Sequence, residues 1–281
     1  MNHRDAQSPA STPDIDVRSL SIGGQLLTVA IRHAGNEECP LLLFNGISAN
    51  WQLAQPFMEA LTKTTTIIFD MPGVGGSPTP VLPYRLSGMA RLAAQLLSEL
   101  GYGRADVAGV SWGGGVAQQF AHQYPKLCRK LVLGATSPGA VMVPGSPSAM
   151  LKMVTPRRYV DKTYMHKVAP SLYGGAVRKD PSLISPHANA MQGAKALGYL
   201  YQLLAMAGWT SVPWLWALRQ PTLIIMGSDD PLVPPINGRL LHMLIPNAEL
   251  ELIEDGHLFF VTSAAETARR VERFLRDENT G

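Results

Sequence analysis

The sequence predicts an α/β fold, in which a mostly parallel central sheet carries helices on both faces and a helical lid is inserted late in the chain. Three observations carry that prediction. Short all-apolar runs such as Leu41–Phe44 have the length and composition of strands buried on both faces. They alternate with segments of helical periodicity through short connections, as strand–helix–strand units do. The alternation stops after Thr136 and resumes at Pro221, and the stretch between is rich in Pro, Gly, Met and Trp.

Taken in order, residues 1–16 are polar, carry Ser, Pro and Asp, and lack the apolar centre of a secretory signal. They predict a disordered leader. Val17 to Ala34 alternates around Gly23-Gly24, a β-hairpin pattern. Leu41–Phe44 is the first buried strand, Trp51–Leu61 a helix, and Thr65–Asp70 the next strand. Leu86–Leu100 has helical spacing and stops at Gly101. Ala105–Val110 is a strand, Trp112–Tyr124 a helix and Lys130–Ala135 a strand. In the insertion, Ala149–Val154 and Met191–Ala207 read as helices. Strands at Pro221–Met226 and Glu249–Ile253 flank a helix from Ile236 to Ile245, and an amphipathic helix from Ala264 to Arg276 closes the chain. The domain reading is a core of residues 17–136 and 217–281 with a lid of 137–216.

Bulk properties exclude several classes of function. The 281 residues include 24 Lys and Arg against 21 Asp and Glu, with no basic run of the kind that grips nucleic acid. The most visible basic groups, Lys126-Arg129-Lys130 and Arg157-Arg158, fit a solvated surface. No apolar stretch is long enough to span a bilayer. Cys39 and Cys128 lack metal-ligand spacing and predict free thiols in a reducing, cytoplasmic setting. The glycine cluster in Asp70-Met71-Pro72-Gly73-Val74-Gly75-Gly76-Ser77 has the wrong spacing for a dinucleotide loop and no Lys for a phosphate loop. Pro78 and Pro80 also oppose a following helix, so it reads as a structural turn. No metal or organic cofactor is predicted.

One stretch organises the candidate chemistry. Gly109, Ser111 and Gly113 form G-x-S-x-G between a strand and a helix, which places a serine on a sharp turn at the end of a sheet strand. The helix behind it aims free N–H groups at the position of a developing oxyanion. A nucleophilic serine needs a base and an orienting acid from other strand ends. Asp229 and Asp230 leave the strand ending at Met226, and His257 follows the last strand behind Glu254-Asp255-Gly256. Gly227, Asp230 and Pro234 match G-x-x-D-x-x-x-P, so Asp230 is assigned as orienter and Asp229 as a loop or capping residue. Asp255 stands too close in sequence to His257. The remaining histidines, His3, His33, His122, His166, His187 and His242, read as surface or core residues. The oxyanion donors are assigned to the backbone N–H groups of Trp112 and of Ile47, which follows Asn45-Gly46.

These residues resemble the α/β-hydrolase superfamily, whose order of Ser, Asp and His this is. Much more closely, the chain is similar to the intracellular depolymerases of medium-chain-length polyhydroxyalkanoates. The likeness runs through Phe44-Asn45-Gly46-Ile47, the Asp70–Ser77 stretch, Pro83-Tyr84-Arg85 and Gly109-Val110-Ser111-Trp112-Gly113-Gly114. In the lid it includes Ala140–Gly145, Pro156–Val160, Tyr173-Gly174-Gly175 and Gly208-Trp209-Thr210-Ser211, and it ends with Asp229–Leu232 and Asp255–Phe259. Lids diverge quickly among hydrolases, so those matches are the specific ones. Most relatives of the fold carry His-Gly where this chain has Asn45-Gly46.

The resemblance implies a catalytic Ser111, Asp230 and His257, and hydrolysis of ester bonds in a storage polyester of 3-hydroxy fatty acids inside the cell, with association with its granules. Met142, Met150, Met153, Met165, Met191 and Met206, with Trp209, Trp214 and Trp216, give the lid apolar surface. Asn45, Met142, Trp209 and Trp214 are the assigned substrate contacts. The same triad fits a carboxylesterase or lipase of soluble small esters, since substrate choice lies in the lid. A non-catalytic granule coat would leave the triad without purpose.

Overall fold

The computed structural model describes residues 15–34, 39–155, 161–185, 188 and 195–277. Most of the leader, Pro156–Val160, His187 and Met191 lie outside them. Eight strands form one sheet: β1 Ile15–Ile22, β2 Gln25–Arg32, β3 Leu41–Phe44, β4 Thr66–Phe69, β5 Ala105–Val110, β6 Cys128–Gly134, β7 Thr222–Gly227 and β8 Ala248–Ile253. Their spatial order is β1-β2-β4-β3-β5-β6-β7-β8. The hairpin β1–β2 joins β4 antiparallel, and every pairing from β4 through β3 to β8 is parallel. The hairpin begins earlier than the sequence pattern indicates. Ile15 and Asp16 pair with Arg32 and Ile31, which shortens the predicted leader, because the ladder continues through a polar residue once its partner strand is in place.

The central strands are short and apolar because both their faces are covered. On one side, α2 (Leu86–Glu99) and α3 (Trp112–Gln123) pack on β3, β5 and β6 through Leu96, Val116, Phe120 and Leu133. On the other, α1 (Trp51–Ala60) and the C-terminal pair α9 (Phe259–Thr262) and α10 (Ala264–Arg276) bury Phe57, Phe260, Val271 and Phe274. Between β7 and β8 lies α8, Ile236–Leu244.

Between β6 and β7 the chain leaves the sheet. It forms α4 (Pro147–Val154), α5 (Lys162–Tyr173), α6 (Gly175–Lys179), a 3-10 turn at Pro181–Ile184, α7 (Ala196–Met206) and another 3-10 turn at Val212–Ala217. The N-cap hydroxyl of Ser146 and carboxylate of Asp161 accept the free N–H groups that start α4 and α5. The two ends of the insertion meet, since Gly139 bridges Thr210 and the N–H of Ala140 donates to the carbonyl of Trp209. The insertion has an apolar cluster of its own around Ala149, Met165, Leu172, Tyr173 and Ile184, which Leu53 of α1 and Leu232 join.

Candidate active site

Each candidate residue sits just beyond the C-terminal end of a parallel strand, where an open α/β sheet leaves a crevice. Ser111 follows β5 with φ +54° and ψ −117°, a backbone conformation that a non-glycine residue holds only when its surroundings enforce it. Here they do. The N–H of Ser111 donates to the carbonyl of Gly134 at 2.9 Å, and the hydroxyl of Thr136 donates to the carbonyl of Ser111 at 2.7 Å. Glycine is required at 113 by close approach: a Cβ there would lie 2.2 Å from the carbonyl oxygen of Phe44. That contact seats α3 against the end of β3.

His257 presents Nε2 to the Ser111 hydroxyl at 3.0 Å and Nδ1 to the Asp230 carboxylate at 2.7 Å. A carboxylate only accepts, so Nδ1 carries the proton and Nε2 is left to accept from serine. Asp230 is fixed in turn, its other oxygen accepting the N–H groups of Leu232 (2.8 Å) and Val233 (2.9 Å). Both His257 and Asp230 are buried. Of the three carboxylates weighed from sequence, the other two have separate partners. Asp229 accepts from the N–H of Gly175 and from Arg178, both in α6. Asp255 accepts from the N–H groups of Ala176 and Gly256 and from the hydroxyls of Thr262 and Ser263. Burial pushes the pKa of Asp255 up, but those four donors prevail and hold it below the usual carboxylate range.

The histidine loop leans on the insertion. The N–H of His257 donates to the carbonyl of Tyr173 at 2.7 Å, and the tyrosine ring lies nearly parallel to the imidazole. Ser146 likewise donates its N–H to the carbonyl of Pro231 in the acid loop.

The loop after β3 also runs beside Ser111, since a Cβ at Gly46 would lie 3.8 Å from Ser111 Cβ. Among the described residues the backbone N–H groups of Ile47 and Trp112 have no protein acceptor. Asn45 closes the loop, its amide donating to the carbonyl of Asn50 at 2.8 Å and its oxygen accepting the N–H of Gly46. Ser48 follows with φ +56°. The buried Asp70 accepts the N–H of Trp51 at 2.7 Å and that of Gly76 at 3.0 Å, and burial pushes its pKa up to about 6. Gln202 of α7 reaches the same region: its oxygen accepts the N–H of Ser48 at 2.8 Å, and its carbonyl accepts the indole N–H of Trp112 at 2.9 Å.

Ser111 and His257 open on a pocket of about 630 Å³, including the part open to solvent. Leu43, Leu53, Phe57, Met153, Leu258 and Phe260 supply much of its wall, and Ile47 and Asn45 border it. Of the four predicted substrate contacts, only Asn45 lines this pocket. Trp209 donates to Gln119 and packs edge-on against Trp214, which stacks on His122 at 4.3 Å between ring centres. Both tryptophans are half-buried and pack their large apolar rings against the core cluster that includes α3. The sulfur of Met142 takes a contact from the hydroxyl of Ser137. Sequence reasoning missed the wall from α1 and α9. Phe57 and Phe260 are themselves buried core residues, and nothing in their spacing marks that they also border an unfilled space. No helix among the described residues is long and apolar enough to cross a membrane.

The comparisons agree with this architecture. The family model described as "alpha/beta hydrolase fold" matches residues 40–264. A poly(3-hydroxyalkanoate) depolymerase of Ectopseudomonas oleovorans is 50% identical over 262 residues, 93% of each chain. A 3-oxoadipate enol-lactonase of Acinetobacter baylyi is 26% identical over 259 residues, 89% of this chain and 95% of its own. Among solved structures, an enol-lactonase from Burkholderia xenovorans superposes with a TM-score of 0.79 at 20% identity, covering 92% of this chain and all of its own. A thermophilic esterase from Thermogutta terrifontis gives 0.76 at 25% identity, over 93% of this chain and 98% of its own.

Proposed function

Since this chain belongs to the α/β hydrolase fold family and, within it, to the family of the poly(3-hydroxyalkanoate) depolymerase, we propose that it hydrolyses the ester bonds of an intracellular medium-chain-length polyester. The products are 3-hydroxy fatty acids or short oligomers, and the reaction passes through an acyl-enzyme on Ser111. The observation that carries the chemistry is the Ser111–His257–Asp230 relay, with spacings of 3.0 and 2.7 Å, opening on an apolar pocket.

Ser111 Oγ attacks the ester carbonyl carbon as its proton passes to His257 Nε2. Asp230 stabilises the resulting imidazolium. Charge moves to the carbonyl oxygen, where the N–H groups of Ile47 and Trp112 receive it. The tetrahedral intermediate collapses, and the hydroxyl end of the polymer leaves with the proton from His257. Water, deprotonated by His257, then attacks the acyl-enzyme and releases the acid and free Ser111. The pocket between α1, α9 and Met153 suits the alkyl branch of a 3-hydroxyacyl unit, and residues 137–216 act as the lid above it.

Contact with a solid substrate has a matching surface. Leu197, Leu200 and Leu204 recur on the exposed face of α7, each nearly half exposed. Beside them stand the exposed Val81 and Leu82, joined to that helix by the Tyr201 hydroxyl, which donates to the carbonyl of Val81. We assign this face to the granule.

The test is release of 3-hydroxy acids from medium-chain polyester granules, with Ser111→Ala in parallel and sedimentation of both proteins with the granules. The expected result is release by the native enzyme, none by the variant, and co-sedimentation of both. Cleavage of short soluble esters without release from granules would move the function to a small ester. Undiminished release by Ser111→Ala would remove the site assignment.

A further inference from the structure

The two proposed oxyanion donors come from different parts of the chain, the loop after β3 and the start of α3. A hole made from two backbone N–H groups works only if both hold their direction toward one point. Gln202 touches both supports. Its side-chain oxygen accepts the N–H of Ser48, the residue after Ile47, at 2.8 Å. Its main-chain carbonyl accepts the indole N–H of Trp112 at 2.9 Å. Ser48 stands at φ +56°, so the peptide joining it to Ile47 is held in a conformation that the chain alone does not favour.

The chemistry of Gln202 marks that contact as specific. The residue is fully buried, on the inner face of α7 with Tyr199, Tyr201 and Ala205. A backbone N–H needs an oxygen opposite it, so the amide orientation is fixed, and Nε2 is then left buried without a partner among the described residues. An amide N–H buried without an acceptor has lost its water and gained nothing in return, which costs stability. A methionine or leucine at 202 would avoid that cost and would leave the Ser48 N–H unpaired instead.

We propose that Gln202 is a positioning residue for the oxyanion hole, with its side-chain oxygen holding the Ile47–Ser48 peptide so that the Ile47 N–H meets the developing charge. It touches no reacting atom and acts through Ser48. The proposal rests on the assignment of Ser111, Ile47 and Trp112 above.

The test compares Gln202→Met, which keeps length and removes the acceptor, with Gln202→Glu at pH 6, where a buried carboxyl is protonated and retains a carbonyl oxygen. Rates are measured on p-nitrophenyl octanoate, with inhibition by an alkyl trifluoromethyl ketone. That ketone accepts Ser111 Oγ at its carbonyl carbon, passes the serine proton to His257 and places an oxyanion in the hole. For Gln202→Met the expected result is a 10- to 100-fold fall in kcat, KM within twofold, and a ketone inhibition constant raised by the same factor as kcat falls. Gln202→Glu should stay within about threefold of native on both measures. Native-like kcat in a folded Gln202→Met, a fall in kcat without a change in ketone affinity, or an equal loss in both variants would each overturn the proposal. If Gln202→Met does not fold, Gln202→Glu alone decides, since loss of ketone affinity there contradicts it. Ser111→Ala, run alongside, separates the two readings. Activity surviving in it refutes the site itself, whereas an inactive Ser111→Ala beside an unaffected Gln202→Met refutes only the role of Gln202.

Discussion

The two halves of the proposed site are built differently. The acid–base half is held redundantly: Asp230 has two backbone donors besides the histidine, Asp255 has four donors, and His257 is tied to Tyr173 through its own N–H. Most of these bonds lie within the acid and histidine loops or cross to the α5–α6 junction. The oxyanion half is held through three side chains that stand on separate elements: Asn45 bridging its own loop, the buried Asp70 beneath α1, and Gln202 of α7. The contrast also assigns the insertion two tasks, bracing the histidine at one end and the oxyanion loop at the other.

The contrast can be broken at several strengths. Asp230→Asn should give the largest effect, because an amide in that place can donate to Nδ1 and so favours the tautomer that cannot accept from serine. The expected loss in kcat is on the order of 10⁴, with thermal melting little changed. A loss below tenfold would mean that another carboxylate orients the ring.

Gly256→Ala attacks the brace instead of the acid. The added Cβ would lie 2.0 Å from the carbonyl oxygen of Tyr173, so one backbone must move and His257 moves with it. A fall in kcat of roughly 10- to 100-fold is expected, with a lower melting temperature. Full activity would show that the contact between insertion and histidine loop is dispensable.

The smallest effect belongs to Asp70 and concerns stability. Its folded pKa of about 6 lies above the ordinary 3.8, so the folded state holds a proton that the unfolded state has released between those values. Native stability therefore falls as pH rises through that window, by about 2 kcal/mol from this group. In Asp70→Asn this component is absent. Urea unfolding of both proteins between pH 4 and 7 should show their stability difference changing from pH 4 to 6 and then levelling. A constant difference across the range would show that Asp70 keeps an ordinary pKa.

The core of the fold was legible in the sequence because it depends on local signals. Leu41–Phe44, Ala105–Val110 and Ala264–Arg276 have the predicted bounds, since an apolar run flanked by turn residues or a strict helical stripe needs no distant partner to be read. Ser111 stood out because G-x-S-x-G records a steric requirement: the contact of Gly113 with β3 excludes any side chain. Asp230 and His257 could be named from strand order. Their 2.7 Å contact depends on β7 and β8 lying side by side in parallel, and each residue's own surroundings say nothing of it.

The sequence by itself determined the alternation of strands and helices, the insertion point after β6 and the residue types able to act as nucleophile, base and acid. Tertiary structure alone decided which apolar residues wall the pocket and which pack the core. Phe57 of α1 packs the core and also borders the pocket, whereas the half-buried Trp209 packs against α3 and does not line the pocket, and only the neighbours that other segments bring make that difference. Gln202 is the sharpest case. A glutamine in an apolar helix carries no positional signal, and its partners lie 90 and 154 residues away. Its meaning exists only once the chain has folded and buried an oxygen against one backbone N–H.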